Sequence, residues 1–181
     1  MQNKRAHWLK KPLLSGRYRP ALIDKGSLTS RLKQAFDDFS VQPLSVAYGR
    51  AFLDEMPALA LSLRQTALIR NVRLMSNKQA LVFAHSVLPL NSLRGPWLGL
   101  RQLGSKPLGE ALFANPQVKR TALTYQKLHT QQLLYQQAVV ELELKPPYLW
   151  ARRSVFRLHQ ANIMVTEVFL PTLLLASSKY E

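Results

Sequence analysis

Apolar residues recur along this chain with two periods, and the changes between them mark its elements. Between Ser27 and Phe36 the spacing of Leu32, Ala35 and Phe36 gives one stripe, and Ser27 or Thr29 supplies a cap, which predicts a helix. Val41 to Leu53 reads as a strand with an irregularity at Pro43, because proline donates no ladder hydrogen bond. Thr66 to Met75 alternates, with Leu68, Val72 and Leu74 on one face, and Gln79 to Leu88 returns after the polar turn Ser76-Asn77-Lys78. These two runs predict a hairpin that Pro89 ends. Gly95 and Pro96 predict a helix that starts after them and ends at Gly104. A second short helix, carrying Leu108, Ala111, Leu112 and Phe113, follows Pro107. Val118 to Leu128 reads as a strand, while the Gln-rich piece Thr130 to Val140 is ambiguous, a short helix being one option. Pro146-Pro147 breaks the chain, and two strands follow, Leu149 to His159 and Asn162 to Leu170, around a tight turn at Gln160-Ala161. Residues 1 to 23, marked by Pro12, Ser15-Gly16 and Pro20, read as an extended approach.

About six short-linked strands predict an α+β fold, an antiparallel sheet with helices gathered on one side. The expected division is a basic extended segment over 1–23, a single domain over 24–175 and a C-terminal tail over 176–181. A chain of 181 residues with 47% hydrophobic and 19% charged residues can bury a real core, which excludes a disordered protein. No apolar run is long enough to span a bilayer, and the N-terminus lacks the features of a secretory signal, so a cytoplasmic location is expected. Cysteine is absent, which excludes disulfides, thiolate metal sites and a cysteine nucleophile. The four histidines, His7, His85, His129 and His159, do not have the close spacing of a zinc motif. The formal net charge of +15 is the one extreme value. It suits a generally basic surface, a polyanion, an acidic membrane or small dianionic substrates, and does not choose among them.

Two charges stand where apolar residues are expected. Arg70 shares a strand face with Leu68, Val72 and Leu74, and Glu167 shares one with Ile163, Val165 and Phe169. A charge on an apolar face is costly to bury unless it is paired or serves a ligand. Either the two pair with each other or with backbone groups, or the inferred face is solvent-exposed, or they line a closed pocket in which arginine holds a carboxylate and glutamate meets a hydroxyl or moves a proton. Periodicity leaves these readings open. His85 lies between apolar faces and reads as a core histidine. Arg152, Arg153 and Arg157 could line an anionic site, although alternation puts at least one of them on the other face. Residues 104–109 contain two glycines without phosphate-loop spacing. The basic start, with Lys4, Arg5, Lys10, Lys11, Arg17 and Arg19 around Trp8 and Tyr18, reads as a solvated tail, and no nucleic-acid-binding motif accompanies it.

Four segments in order resemble the chorismate pyruvate-lyase family: Ala67-Leu68-Ile69-Arg70, Leu103-Gly104-Ser105-Lys106-Pro107-Leu108-Gly109, Leu149-Trp150-Ala151-Arg152-Arg153-Ser154 and Thr166-Glu167-Val168-Phe169-Leu170-Pro171. The resemblance covers about residues 24 to 171 and implies a six-stranded antiparallel sheet with helical flaps over an enclosed ligand cavity. It implies a lyase that converts chorismate into 4-hydroxybenzoate and pyruvate for ubiquinone biosynthesis, without metal or organic cofactor. Carried over by position, Arg70 matches a substrate-binding arginine and Glu167 an active-site glutamate. Leu108 matches a leucine that contacts ligand through its main chain, and Leu28, aligned more loosely, another ligand-contacting residue. His85 stands where the family is expected to carry arginine, and the segment 130–140 looks like added length. The expected partners are chorismate and 4-hydroxybenzoate, with no specific nucleic acid, a weak association with anionic membrane surfaces, and a monomeric state. Two other readings compete: a non-catalytic small-molecule-binding domain of the same fold, and a basic polyanion-binding protein.

Overall fold

The computed structural model describes residues 7–103 and 106–175; residues 1–6, Gly104, Ser105 and the expected tail 176–181 lie outside the described residues. Among the described residues seven strands, β1 (Ser40–Gly49), β2 (Ala67–Ser76), β3 (Gln79–Pro89), β4 (Lys119–Arg120), β5 (Thr124–His129), β6 (Tyr148–Leu158) and β7 (Ala161–Phe169), form one sheet. Its spatial order is β1-β2-β3-β7-β6-β4, with β5 also on β6, and every pairing is antiparallel. The α+β class expected from the pattern is the observed one.

The β2–β3 hairpin forms where alternation predicts it. Its two turn residues, Asn77 and Lys78, have φ of 48° and 61°, the left-handed pair that a two-residue hairpin loop requires. Asp38 steadies the turn by accepting from the Ser76 hydroxyl at 2.7 Å and from the Asn77 N–H. The Pro43 irregularity is a register shift between Pro43 and Ser45 in β1, which ends at Gly49 rather than Leu53. The expected strand 118–128 is two strands lying end to end along β6. At the break the Thr121 hydroxyl accepts the Val155 N–H at 2.9 Å, so a side chain replaces a backbone carbonyl in the ladder. The tight turn between the last two strands falls at His159-Gln160, one residue earlier than expected, with His159 at φ 53°.

Helices are α1 (Arg19–Ile23), α2 (Leu28–Ala35), α3 (Met56–Leu59), α4 (Leu90–Arg94), α5 (Leu108–Ala114), α6 (Leu133–Ala138) and α7 (Pro171–Leu175). The Ser27 hydroxyl caps α2 by accepting the Ser30 N–H at 3.3 Å. Three expectations are corrected here. Residues 16–23 are helical rather than extended: a 3-10 turn, Gly16–Tyr18, runs into α1, where Pro20 occupies the first turn, the place a helix tolerates it. The helix expected after Gly95-Pro96 is α4, which lies before them and ends at Gly95, while Leu98–Gln102 beyond is 3-10. Buried Leu93 and the Ser92 hydroxyl, donating to Asn162 O at 2.9 Å, hold α4 against the β6–β7 corner.

The third correction concerns layering, because helices cover both faces of the sheet. On one face α1, α2 and α7 pack Leu22, Leu28, Leu32 and Leu173 on Val72, Leu74, Val82, Trp150 and Phe169. On the same face α4 and α5 set Leu93, Leu108 and Leu112 on Leu68, Leu88, Phe156 and Ile163. On the opposite face α6 covers Phe83, Leu149, Ala151 and Val168, and α3 covers Ala67, Val87, Val155 and Met164. Both parities of β2, β3, β6 and β7 are therefore largely buried, and each fully buried Leu or Phe contributes about 2 kcal/mol. No helix among the described residues is long and apolar enough to cross a membrane.

Candidate active site

Cross-strand register puts Arg70, Ser86, Val165 and Ser154 in one row on the face under α2 and α5, and Val72, Ala84, Glu167 and Arg152 in the next. The small residues Ala84 and Ser86 of β3 lie between Arg70 on one side and Glu167 on the other. They leave a hollow that the larger side chains around it do not fill. The hollow is a cavity of about 520 Å³ including its mouth, roofed by the start of α2 at Ser27-Leu28-Thr29 and by α5 at Leu108-Gly109. Arg70, Glu167, Leu28 and Leu108, distant in sequence, all line it.

The roof fits closely. A Cβ added at Gly109 would meet the Thr29 hydroxyl oxygen at 3.1 Å, so glycine lets α5 approach α2. Lys33 of α2 and Glu110 of α5 form an exposed ion pair across the seam. Gly104 and Ser105 of the glycine-containing segment lie outside the described residues, whereas Lys106 contributes its carbonyl to the site.

Two guanidiniums, of Arg70 and Arg120, and the Glu167 carboxylate line the space, with Arg152 behind Glu167. Arg70 is 4% exposed and donates from Nη2 to Lys106 O at 3.0 Å. Burial pulls its pKa below the ordinary arginine value. Glu167 accepts from Arg152 Nε at 2.5 Å. Arg152 is 0% exposed and also donates to Ala21 O at 2.8 Å and Asp24 O at 2.5 Å, which ties the chain before α2 to the Glu167 carboxylate. Arg120 of β4 enters from the far wall. It donates to the Ser154 hydroxyl at 2.7 Å and to Lys25 O at 2.9 Å, and lies 5.4 Å and 5.1 Å from the ring centroids of Phe113 and Phe156. Burial lowers the Arg120 pKa, with Glu167 opposing the shift and Arg152 adding to it. With Glu167 held by Arg152 behind it, the guanidiniums of Arg70 and Arg120 make the lining suited to an anionic ligand.

The remaining candidates are sorted by strand parity. Arg153 points to the opposite face, where it donates to Asp54 at 2.6 Å and lies over the Trp8 ring at 4.1 Å. Arg157 is exposed and donates to Asn162 at 2.9 Å. His85 is also on the opposite face, between Glu55 at 3.2 Å and Asn71 at 2.7 Å, stacked on Phe52. A side chain there cannot supply an anionic contact in the cavity, so the exchange of an expected arginine for His85 leaves the cavity's cations untouched. Sequence reasoning missed Arg120, Phe113 and Phe156 as cavity residues. Arg120 shares parity with apolar Val118, the same signal that singles out Arg70, but the break after β4 hides it. No group of His, Asp and Glu that could hold a metal ion is found among the described residues.

Comparison with known proteins follows the same lines. The family model for chorismate lyase matches residues 3–179. A probable chorismate pyruvate-lyase of Methylobacillus flagellatus is 46% identical over 170 residues, covering 94% of this chain and 96% of that protein. One from Thiobacillus denitrificans is 46% identical over 153 residues, covering 84% of this chain and 82% of that protein. Among solved structures, the effector domain of PhnF from Mycobacterium smegmatis shares the fold at a TM-score of 0.55 and 13% identity, covering 81% of this chain and 90% of that one. The ligand-binding domain of a GntR-family regulator from Bordetella bronchiseptica does so at 0.52 and 18%, covering 74% and 84%. With a match across nearly its whole length, the chain belongs to the chorismate lyase family.

Proposed function

We propose that this protein is a chorismate pyruvate-lyase, which converts chorismate into 4-hydroxybenzoate and pyruvate and so supplies the ring precursor for ubiquinone. The observation that carries the reading is a cavity lined by the guanidiniums of Arg70 and Arg120, with Glu167 held by Arg152, since chorismate carries two carboxylates. Arg70 holds one carboxylate and Arg120, from the opposite wall, is placed for the other. Main-chain N–H groups near Leu28 and Leu108 assist. Glu167, bonded through one oxygen to Arg152, offers its acceptor capacity to the ring hydroxyl that becomes the phenol.

In the reaction the ring–oxygen ether bond breaks and the hydrogen leaves the hydroxyl-bearing ring carbon. The ring becomes aromatic, and the enolpyruvyl fragment takes up a proton to become pyruvate. Aromatisation makes this strongly downhill, so the site's task is to orient the side chain over the ring, exclude water and steady moving charge. Neither metal nor organic cofactor enters the scheme. The surplus of positive charge further supports weak association with anionic membranes by a monomeric enzyme.

The test is ultraviolet detection of 4-hydroxybenzoate with coupled pyruvate detection after chorismate is added to the purified protein. Equimolar products are expected, with a loss of roughly a thousandfold in kcat/KM for Arg70→Ala and for a folded Glu167→Gln. A folded protein that binds 4-hydroxybenzoate without forming product would instead be a ligand-binding relative of the enzyme.

A further inference from the structure

The segment between the Leu9–Tyr125 bridge and α1, none of which lines the cavity, presents an unusual tip. Leu14 is 99% exposed and Leu13 63% exposed. Leu14 also has φ 57°, in the left-handed region that a leucine avoids. The tip is built rather than slack: the buried Ser15 hydroxyl donates to Pro12 O at 2.9 Å, and the Tyr18 N–H donates to Ser15 O at 3.1 Å. A chain that strains its backbone to hold two leucines in water gains nothing from it within its own fold.

Exposed cations flank the tip along the chain. Lys10, Lys11, Arg17 and Arg19 are exposed, and residues 7–23 contain no carboxylate. Arg17 donates to Leu174 O at 3.3 Å, which brings α7 and its 82% exposed Leu175 to the same corner. Lys127 of β5, 3.7 Å from the Tyr148 ring, adds a fifth cation on the strand that Leu9 bridges. Exposed apolar side chains flanked along the chain by exposed lysine and arginine suit a lipid interface, in which anionic headgroups lie outside acyl chains. Single-stranded nucleic acid would call for a groove with aromatic stacking platforms, and leucines at an apex provide neither.

We propose that this corner is a docking surface for anionic bilayers: Leu13 and Leu14 enter the headgroup–acyl boundary while Lys10, Lys11, Arg17, Arg19 and Lys127 meet lipid phosphates. The inference shares the charge argument made above but is independent of chorismate turnover. Binding is driven by both parts of the surface, so it falls with salt and also with removal of the leucines at constant charge.

The full chain is sedimented with vesicles of equal parts phosphatidylcholine and phosphatidylglycerol at physiological salt, beside vesicles of phosphatidylcholine alone. Leu13→Ser combined with Leu14→Gly is compared with the unaltered protein. Glycine accepts the left-handed backbone at residue 14, so thermal unfolding of this variant is expected at or above that of the parent. Binding to the mixed vesicles only, with a roughly tenfold lower partition coefficient for the leucine variant, is the expected result. Lys10→Gln with Lys11→Gln is expected to weaken binding as well. Failure of the unaltered protein to sediment with the mixed vesicles overturns the proposal. So does a leucine variant that binds as well as its parent, since adsorption by charge alone, as to any polyanion, then accounts for the binding.

Discussion

The two faces of the sheet bury charge in opposite ways. On the face under α2 and α5, Arg70, Arg120 and Glu167 line a space, and Arg152 holds Glu167 from behind. On the other face Arg153 meets Asp54, and His85 lies between Glu55 and Asn71 under Phe52, with protein groups packed against protein groups. Adjacent residues of one strand, Arg152 and Arg153, belong to the two arrangements. What separates them is what lies opposite: Arg152 holds Glu167 at the edge of the hollow left by Ala84 and Ser86, whereas Arg153 meets the loop carrying Asp54 and Glu55. A buried charge therefore points to function when the space before it is open, and to structure when that space is filled.

The largest effect should come from breaking the two arginines in turn. Arg152→Met leaves Glu167 without its partner and frees the chain before α2, so urea unfolding should show a loss of about 3–5 kcal/mol, together with loss of chorismate turnover. Arg153→Met should cost only about 1–2 kcal/mol, because Asp54 keeps the Trp8 N–H at 2.9 Å and some access to water. Its turnover should match the parent's. Equal consequences for both variants would dissolve the distinction between the faces.

A smaller effect concerns a group kept neutral on the cavity side. Burial pushes the Tyr18 phenol up to about 12, with Tyr148 adding to the shift. The unfolded chain releases this proton near the ordinary value of 10.0, so between that pH and about 12 the folded state binds more protons and loses stability as pH rises. The loss should total about 2–3 kcal/mol, and Tyr18→Phe should remove that part of the slope in urea midpoints measured across alkaline pH.

The smallest effect tests the seam of the roof. Gly109→Ala would press on Thr29 and move α5 by a few tenths of an ångström, at a cost of about 1 kcal/mol. Its KM for chorismate should rise about threefold with kcat nearly unchanged, since the change loosens closure without touching a charged group.

Much of this organisation is legible in the chain itself, for identifiable reasons. The β2–β3 hairpin is readable because alternation and the Asn77-Lys78 turn agree. Arg70 and Glu167 are conspicuous because each interrupts an apolar face. Arg120 is not, because a threonine side chain breaks its strand after two residues and cuts the alternation short. The position of α4 is hidden by Gly95-Pro96, which ends one helix where the dipeptide suggests the start of another. The partnership of Glu167 with Arg152 is a matter of register between strands, which spacing along a single strand does not encode. Helices on both faces are likewise invisible in the count of elements: α3 and α6 are short, and their side is set by contacts with Met164 and Val168.

The irregularity at Pro43 has a consequence for life at high concentration. β1 is the outermost strand beyond β2, ten residues long, with Leu44, Val46 and Tyr48 exposed. Such a border invites a neighbouring molecule to add its own strand and begin an aggregate. A strand laid along this border meets a change of phase between Pro43 and Ser45, so a growing ladder loses its match partway along. One irregularity thus helps keep a crowded solution of this protein clear.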